Sequence, residues 1–137
     1  VVGYKAASGD LGRVGEVIER TREENFAVLS GDDALTLPIM SLGGKGAISV
    51  AANLVPERTS RLVEHALEDE YAAARELQFE LGPLFRTLFV ETNPIPIKEA
   101  QAMCDQQPVR MRPPLSRLRG ENRQELRSVL ADLGLDV

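Results

Sequence analysis

The chain has 137 residues, 43% of them hydrophobic and 27% charged, with a formal net charge of -5 and a sequence pI near 5.0, the profile of a globular domain of ordinary size. Its 16 basic residues are interspersed with 21 acidic ones, so there is no basic stripe to displace counterions from phosphates, which argues against nucleic acid as the main partner. No apolar run approaches the roughly 20 residues that span a bilayer and no charged-then-apolar leader is present, so the chain reads as cytoplasmic, with no membrane partner.

The first stretch, Val1-Val2-Gly3-Tyr4-Lys5-Ala6-Ala7, is an apolar β run that carries one ammonium group and ends in Ser8-Gly9-Asp10. Leu11, Val14, Val17 and Ile18 then recur at helical spacing, which predicts a helix capped by Asp10 and running to about Glu24. Phe26-Ala27-Val28-Leu29 is a second buried strand, closed by Ser30-Gly31-Asp32-Asp33. A short helix through Leu35, Ile39 and Leu42 follows and stops at Gly43-Gly44. Gly46 to Asn53 reads as a third strand. Three short apolar strands alternating with helices signal βα units and a parallel sheet, either a doubly wound open sheet or part of a (β/α)8 barrel. A chain that opens on strand residues reads as part of a longer polypeptide.

From Pro56 the pattern is helical. One helix carries Leu62, Val63, Ala66 and Leu67, and a second carries Ala74 through Phe89, with a kink expected at Gly82-Pro83. The two prolines of Asn93-Pro94-Ile95-Pro96-Ile97-Lys98 should delay a helix that continues through Ala100, Ala102 and Met103. Pro108 to Pro114 reads as an extended linker. Asn122 with Glu125 resembles a capping box for a last helix that ends at Gly134.

Few residues could carry chemistry. Cys104 is the only cysteine and His65 the only histidine, which leaves no internal disulfide, no Cys/His zinc constellation and no Cys–His nucleophile pair. No metal and no cofactor is expected, and His65, in a charged helical stretch, reads as a surface residue. Gly43-Gly44-Lys45-Gly46 lacks the spacing of a phosphate loop and precedes a strand, so it reads as a tight turn. Asp32 and Asp33 read as helix caps. Lys5 is the odd residue. Strand alternation places Val1, Gly3 and Lys5 on one face and Val2, Tyr4 and Ala6 on the other. In a strand covered on both faces, Lys5 enters an apolar interior, where desolvation favours the free amine that Schiff-base formation with a carbonyl substrate requires. The other reading is a strand-end lysine whose head snorkels into water.

Several segments resemble, in order and spacing, the motifs of the dihydrodipicolinate synthase family. They are Gly3-Tyr4-Lys5-Ala6-Ala7-Ser8-Gly9-Asp10, Leu29-Ser30-Gly31-Asp32-Asp33, Gly46-Ala47-Ile48-Ser49-Val50-Ala51-Ala52-Asn53, Asn93-Pro94-Ile95-Pro96-Ile97-Lys98 and Val109-Arg110-Met111 to Leu115. The resemblance implies an α/β fold: the C-terminal part of a (β/α)8 TIM barrel that runs to about 250 residues when whole. Residues 1–68 would be the last three βα units and 69–137 a C-terminal helical extension. It implies a class I pyruvate aldolase that condenses pyruvate with L-aspartate 4-semialdehyde in lysine (diaminopimelate) biosynthesis, as a homotetramer. Lys5 would form the imine, Gly31 would line the pocket behind it, and the Ile48 carbonyl would face the keto acid. Asp32 and Asn93 would stand at the pocket rim. The family's proton-relay tyrosine, threonine pair and carboxylate-binding arginine would lie in the N-terminal half of the barrel, so this chain alone should be inactive.

The family usually has Glu where this chain has Ala6, and an aliphatic residue where it has Tyr4. Both project away from Lys5. A sister lyase acting on a sugar acid, such as sialic acid lyase, tends to carry a hydroxyl residue near Val50, so the apolar Val50 favours the synthase. A non-catalytic half-barrel module is the reading from another class.

Overall fold

The structure, a computed structural model, describes residues 1–105 and 108–137. Strands β1 (Gly3–Ala6) and β2 (Ala27–Ser30) pair in parallel, with Gly3 opposite Ala27 and Ala6 opposite Ser30. Helix α1 (Leu11–Thr21) makes the crossover between them. Asp10 caps it as expected, its Oδ1 accepting from the Arg13 amide at 3.0 Å. Val14 is buried with Ala6, Val28 and Ile39, and Tyr4, Leu11, Val17 and Ile18 close around them. The helix ends three residues before Glu24, because the Glu24 amide turns back to the Thr21 carbonyl at 2.9 Å.

After β2, a 3-10 turn (Asp33–Leu35) leads into α2 (Thr36–Ser41). The third strand expected over Gly46–Asn53 is reduced to a stub. Lys45 donates to the Val28 carbonyl at 2.8 Å, Gly46 accepts from Ser30 at 2.8 Å and Ile48 donates to the Ser30 carbonyl at 2.7 Å, with one parallel bridge between Ser30 and Ala47. Beyond Ile48 the amides are claimed by side chains. Ser49 Oγ accepts from Ala52 at 2.9 Å, and Asp33 Oδ2 accepts from Val50 at 3.0 Å and Ala51 at 2.9 Å. Acceptors off the ladder compete with strand pairing, and residues Ala51–Asn53 turn into a 3-10 helix instead.

The remainder is helical: α3 (Pro56–Leu67), α4 (Tyr71–Thr87), α5 (Ile95–Cys104) and α6 (Gly120–Asp132). Leu62, Leu81, Leu84, Leu88, Leu126 and Leu130 are buried together in one cluster that reaches from Ala51 to Leu130. Helix α4 continues through Gly82-Pro83, with Pro83 exposed. Helix α5 starts earlier than its prolines suggest, because Pro96 falls in the first turn, where its missing N–H removes no intrahelical bond. The capping box expected at Asn122 and Glu125 does not form. Helix α6 begins at Gly120, and Glu91 serves its start from a distance, Oε1 accepting from the Arg119 amide at 2.9 Å and from Asn122 Nδ2 at 2.7 Å. These two bonds hold the Glu91 carboxyl below its ordinary pKa. Gly134, at φ +75°, ends the helix as expected.

Glu99, on α5, is fully buried and joins the helical layers. Its carboxylate accepts from Arg117 Nε and, at 3.1 Å, from Arg117 Nη2, while Arg123 Nε lies at 3.4 Å. Burial pushes the carboxyl pKa up, but the Arg117 contacts, the Leu118 amide and Arg123 outweigh it, so the net shift is downward. Among the described residues, no helix is long and apolar enough to cross a membrane.

Candidate active site

Two backbone hooks and the β1–β2 pairing bring Lys5, Gly31 and Ile48 to the carboxyl ends of successive parallel segments. Lys5 sits next to last in β1. The Gly31 amide, just past β2, donates to the Ala6 carbonyl at 2.7 Å, and the Ile48 amide donates to the Ser30 carbonyl at 2.7 Å. In parallel sheets this edge is where ligands bind.

Gly31 fits against the lysine stem. A methyl group added there would lie 2.6 Å from Lys5 Cε, 2.9 Å from Lys5 Cγ and 3.0 Å from the Ala7 methyl, so only glycine leaves the stem in this position. Tyr4 and Ala6 pack into the α1 cluster on the opposite face, as alternation requires. Lys5 itself is exposed, not enclosed, because among the described residues nothing covers its face of the sheet. Ile48 is likewise 48% exposed, its backbone held while its side chain projects free.

The turn after β2 is closed by its own hydrogen bonds. Ser30 is fully buried, and its hydroxyl donates to the Asp32 carbonyl at 2.7 Å. Asp32 Oδ1 accepts from the Ala34 amide at 3.0 Å, so its side chain is a cap for the 3-10 turn. Asp33 is not a cap of its own helix. It reaches across to the segment after Ile48, a role that sequence reasoning missed because two adjacent acids at a helix start both read as caps. The only signal was redundancy, since one cap suffices there. Asn93 lies exposed before α5, and among the described residues its side chain makes no hydrogen bond to the Lys5 group.

Away from this edge, half-buried His65 has a partner that the sequence did not suggest, with Nδ1 2.6 Å from Glu70 Oε2. His65, Glu68 and Glu70 present ligand atoms within 4.8 Å of one another on the surface. The Cys104 thiol is only partly buried, and burial followed by the charges of Asp105 and Asp136 pushes its pKa up, the opposite of a reactive thiolate.

The Dihydrodipicolinate synthetase family matches residues 1–133, nearly the whole chain. The chain belongs to this family. Its sequence is 69% identical over 133 residues to a 4-hydroxy-tetrahydrodipicolinate synthase of Natronomonas pharaonis, covering 97% of this chain and 45% of that relative. Among solved structures, dihydrodipicolinate synthase from Aquifex aeolicus superposes with a TM-score of 0.96 at 43% identity, over all of this chain and 46% of that one. A chloride-inhibited dihydrodipicolinate synthase of Acinetobacter baumannii, complexed with pyruvate, gives a TM-score of 0.93 at 36% identity, covering 98% of this chain and 46% of that one. The chain thus spans less than half the length of the relatives it matches. The family and these neighbours imply a TIM-barrel enzyme fold, and the mixed strand and helix layers described above fit part of such a barrel.

Proposed function

We propose that this chain supplies the last three βα units and the helical extension of a (β/α)8 lyase that condenses pyruvate with L-aspartate 4-semialdehyde through an imine on Lys5. The observation that carries the reading is the placement of Lys5 at the strand-end edge, with Gly31 of the next segment against its stem and the Ile48 backbone hooked to the far side of β2 on the same edge.

In this reading the neutral Lys5 amine adds to the pyruvate C2 carbonyl, and loss of water leaves a protonated imine. Removal of a C3 proton gives the enamine, whose C3 attacks the aldehyde carbon while the aldehyde oxygen takes up a proton. The substrate amine then closes on C2, and Lys5 leaves as the free amine. Gly31 keeps the stem extended toward the pocket, and the Ile48 carbonyl, an acceptor, faces the keto acid. The rest of the barrel covers the face on which Lys5 is exposed, supplies the proton-relay and carboxylate-binding groups, and completes a cytoplasmic homotetrameric enzyme of lysine biosynthesis. The chain alone is inactive.

Val50 favours the synthase over a sugar-acid lyase. Its side chain packs against the main apolar cluster and its amide is held by Asp33, so neither is free to meet a polyol. The test is borohydride reduction of the full-length protein with pyruvate, followed by intact-mass measurement and peptide fragmentation. A pyruvyl adduct on Lys5, absent in Lys5→Ala and Lys5→Arg, is the expected result. An adduct that persists in either variant overturns the assignment, and no adduct in the wild type puts the non-catalytic module ahead.

A further inference from the structure

Asp33 is 2% exposed and forms no ion pair among the described residues. Both of its contacts fall on one oxygen, Oδ2, which accepts from Val50 at 3.0 Å and Ala51 at 2.9 Å, while the buried Oδ1 has no hydrogen-bond partner among the described residues. A buried carboxylate without a cation is an expensive way to hold two amides, and such departures from the most stable choice concentrate at functional sites.

What the expense accomplishes is seen in the backbone. Ile48 is tied on its amide side to the Ser30 carbonyl at 2.7 Å. On its carbonyl side the chain has left the ladder, and its first fixed points are the amides of Val50 and Ala51 on Asp33. Among the described residues, Ser49 Oγ binds only forward, to Ala52. The orientation of the Ile48–Ser49 peptide is therefore set between the Ser30 carbonyl at the end of β2 and the Asp33 carboxylate in the 3-10 turn that follows it. Between the two lies Gly31, which touches the Lys5 stem. One short segment, Ser30 to Asp33, thus fixes the lysine on one side and the Ile48 carbonyl on the other.

We propose that Asp33 is a positioning residue for the condensation, holding the Ile48 carbonyl toward the keto acid by clamping the amides of Val50 and Ala51. The inference rests on the imine reading above, since it takes the Ile48 carbonyl to face pyruvate. Loss of the clamp frees the peptide to rotate away, which weakens pyruvate binding but leaves the Lys5 amine in place.

The experiment uses the full-length protein with Asp33→Asn and Asp33→Ala, measuring KM for pyruvate, kcat, the thermal midpoint and the borohydride-trapped Lys5 adduct at saturating pyruvate. An amide oxygen accepts both bonds more weakly than a carboxylate oxygen, so Asp33→Asn is expected to raise the pyruvate KM about three- to fivefold, with kcat within twofold of wild type. Asp33→Ala is expected to raise KM at least tenfold, and both variants still form the adduct at saturation. A purely structural role would move the thermal midpoint and the active fraction, and hence kcat, without raising KM. Wild-type KM in Asp33→Asn overturns the proposal, and this variant decides if Asp33→Ala does not fold. A wild-type protein that forms no adduct overturns the imine reading itself, whereas adduct formation with an unchanged KM in the variants overturns the Asp33 role alone.

Discussion

The sheet layer and the helical layer are built to different standards. In the first fifty residues the main buried apolar cluster is Ala6, Val14, Val28 and Ile39, with Met40 buried against Ala66 and Ala74 of the helical layer, the third strand is a stub, and Lys5 and Ile48 are exposed. From Ala51 onward a continuous cluster ties α3, α4, α5 and α6 together, reinforced by the buried Glu99 carboxylate under Arg117 and Arg123. The residues assigned to chemistry lie in the thinly packed layer, and the residues that hold the structure together lie in the other. The difference teaches that stability and reactivity should respond to different substitutions.

The comparison breaks most readily at Leu81, which is fully buried in the helical cluster. Leu81→Ala removes apolar contacts and leaves a cavity, an expected loss of about 3–5 kcal/mol in urea unfolding of the full-length protein. The adduct formed per folded molecule should not change. A reduced adduct yield in the folded fraction would show that the two layers are coupled.

Glu99→Gln is the next largest effect. It keeps the shape and removes the charge, at an expected cost of about 2 kcal/mol at pH 7, below the range for an enclosed pair because both guanidinium groups reach solvent. The sign with pH follows from the lowered carboxyl pKa. A carboxyl group that titrates lower in the folded state contributes stability above its ordinary value of 4.5, and that contribution is lost as pH falls through the folded value. The gap between wild type and Glu99→Gln should therefore be constant near neutrality and narrow below pH 4.5. A gap that stays constant through pH 3 would place the cost in packing instead.

Local signals made part of this legible. Ser8-Gly9-Asp10 before an apolar period predicts α1 and its cap, and both form, because every partner lies within a few residues. Lys5 is conspicuous as the single charge in its strand. What was not legible depends on long-range partners. The stub after Gly46 looks like a strand because the group that ends it, Asp33, sits 17 residues earlier than Val50. Asn122 and Glu125 look like a capping box, yet Asn122 turns to Glu91, 31 residues away. The end of a parallel strand puts Gly31 near the ligand edge and the family resemblance gives it a pocket role, but the contact that explains it, with the Lys5 stem, exists only once β1 and β2 are side by side.

Gly31→Ala sharpens the comparison from the other side, with the smallest expected effect on stability. The added methyl meets Lys5 Cε at 2.6 Å and Cγ at 2.9 Å, atoms of an exposed and flexible side chain that can move away, and the Ala7 methyl at 3.0 Å, which must give by a few tenths of an ångström, so unfolding should change by no more than about 1 kcal/mol. The displaced stem, however, no longer extends to the edge where the Ile48 backbone sits. Borohydride trapping with pyruvate should fall at least tenfold while the thermal midpoint stays near wild type, because a reacting group moved by an ångström loses most of its productive orientation. If trapping is unchanged, Lys5 reaches its substrate without Gly31 and the glycine serves only the turn. If stability falls by as much as in Leu81→Ala, the strand-end layer is packed more tightly than its small core indicates, and the division between the two layers fails.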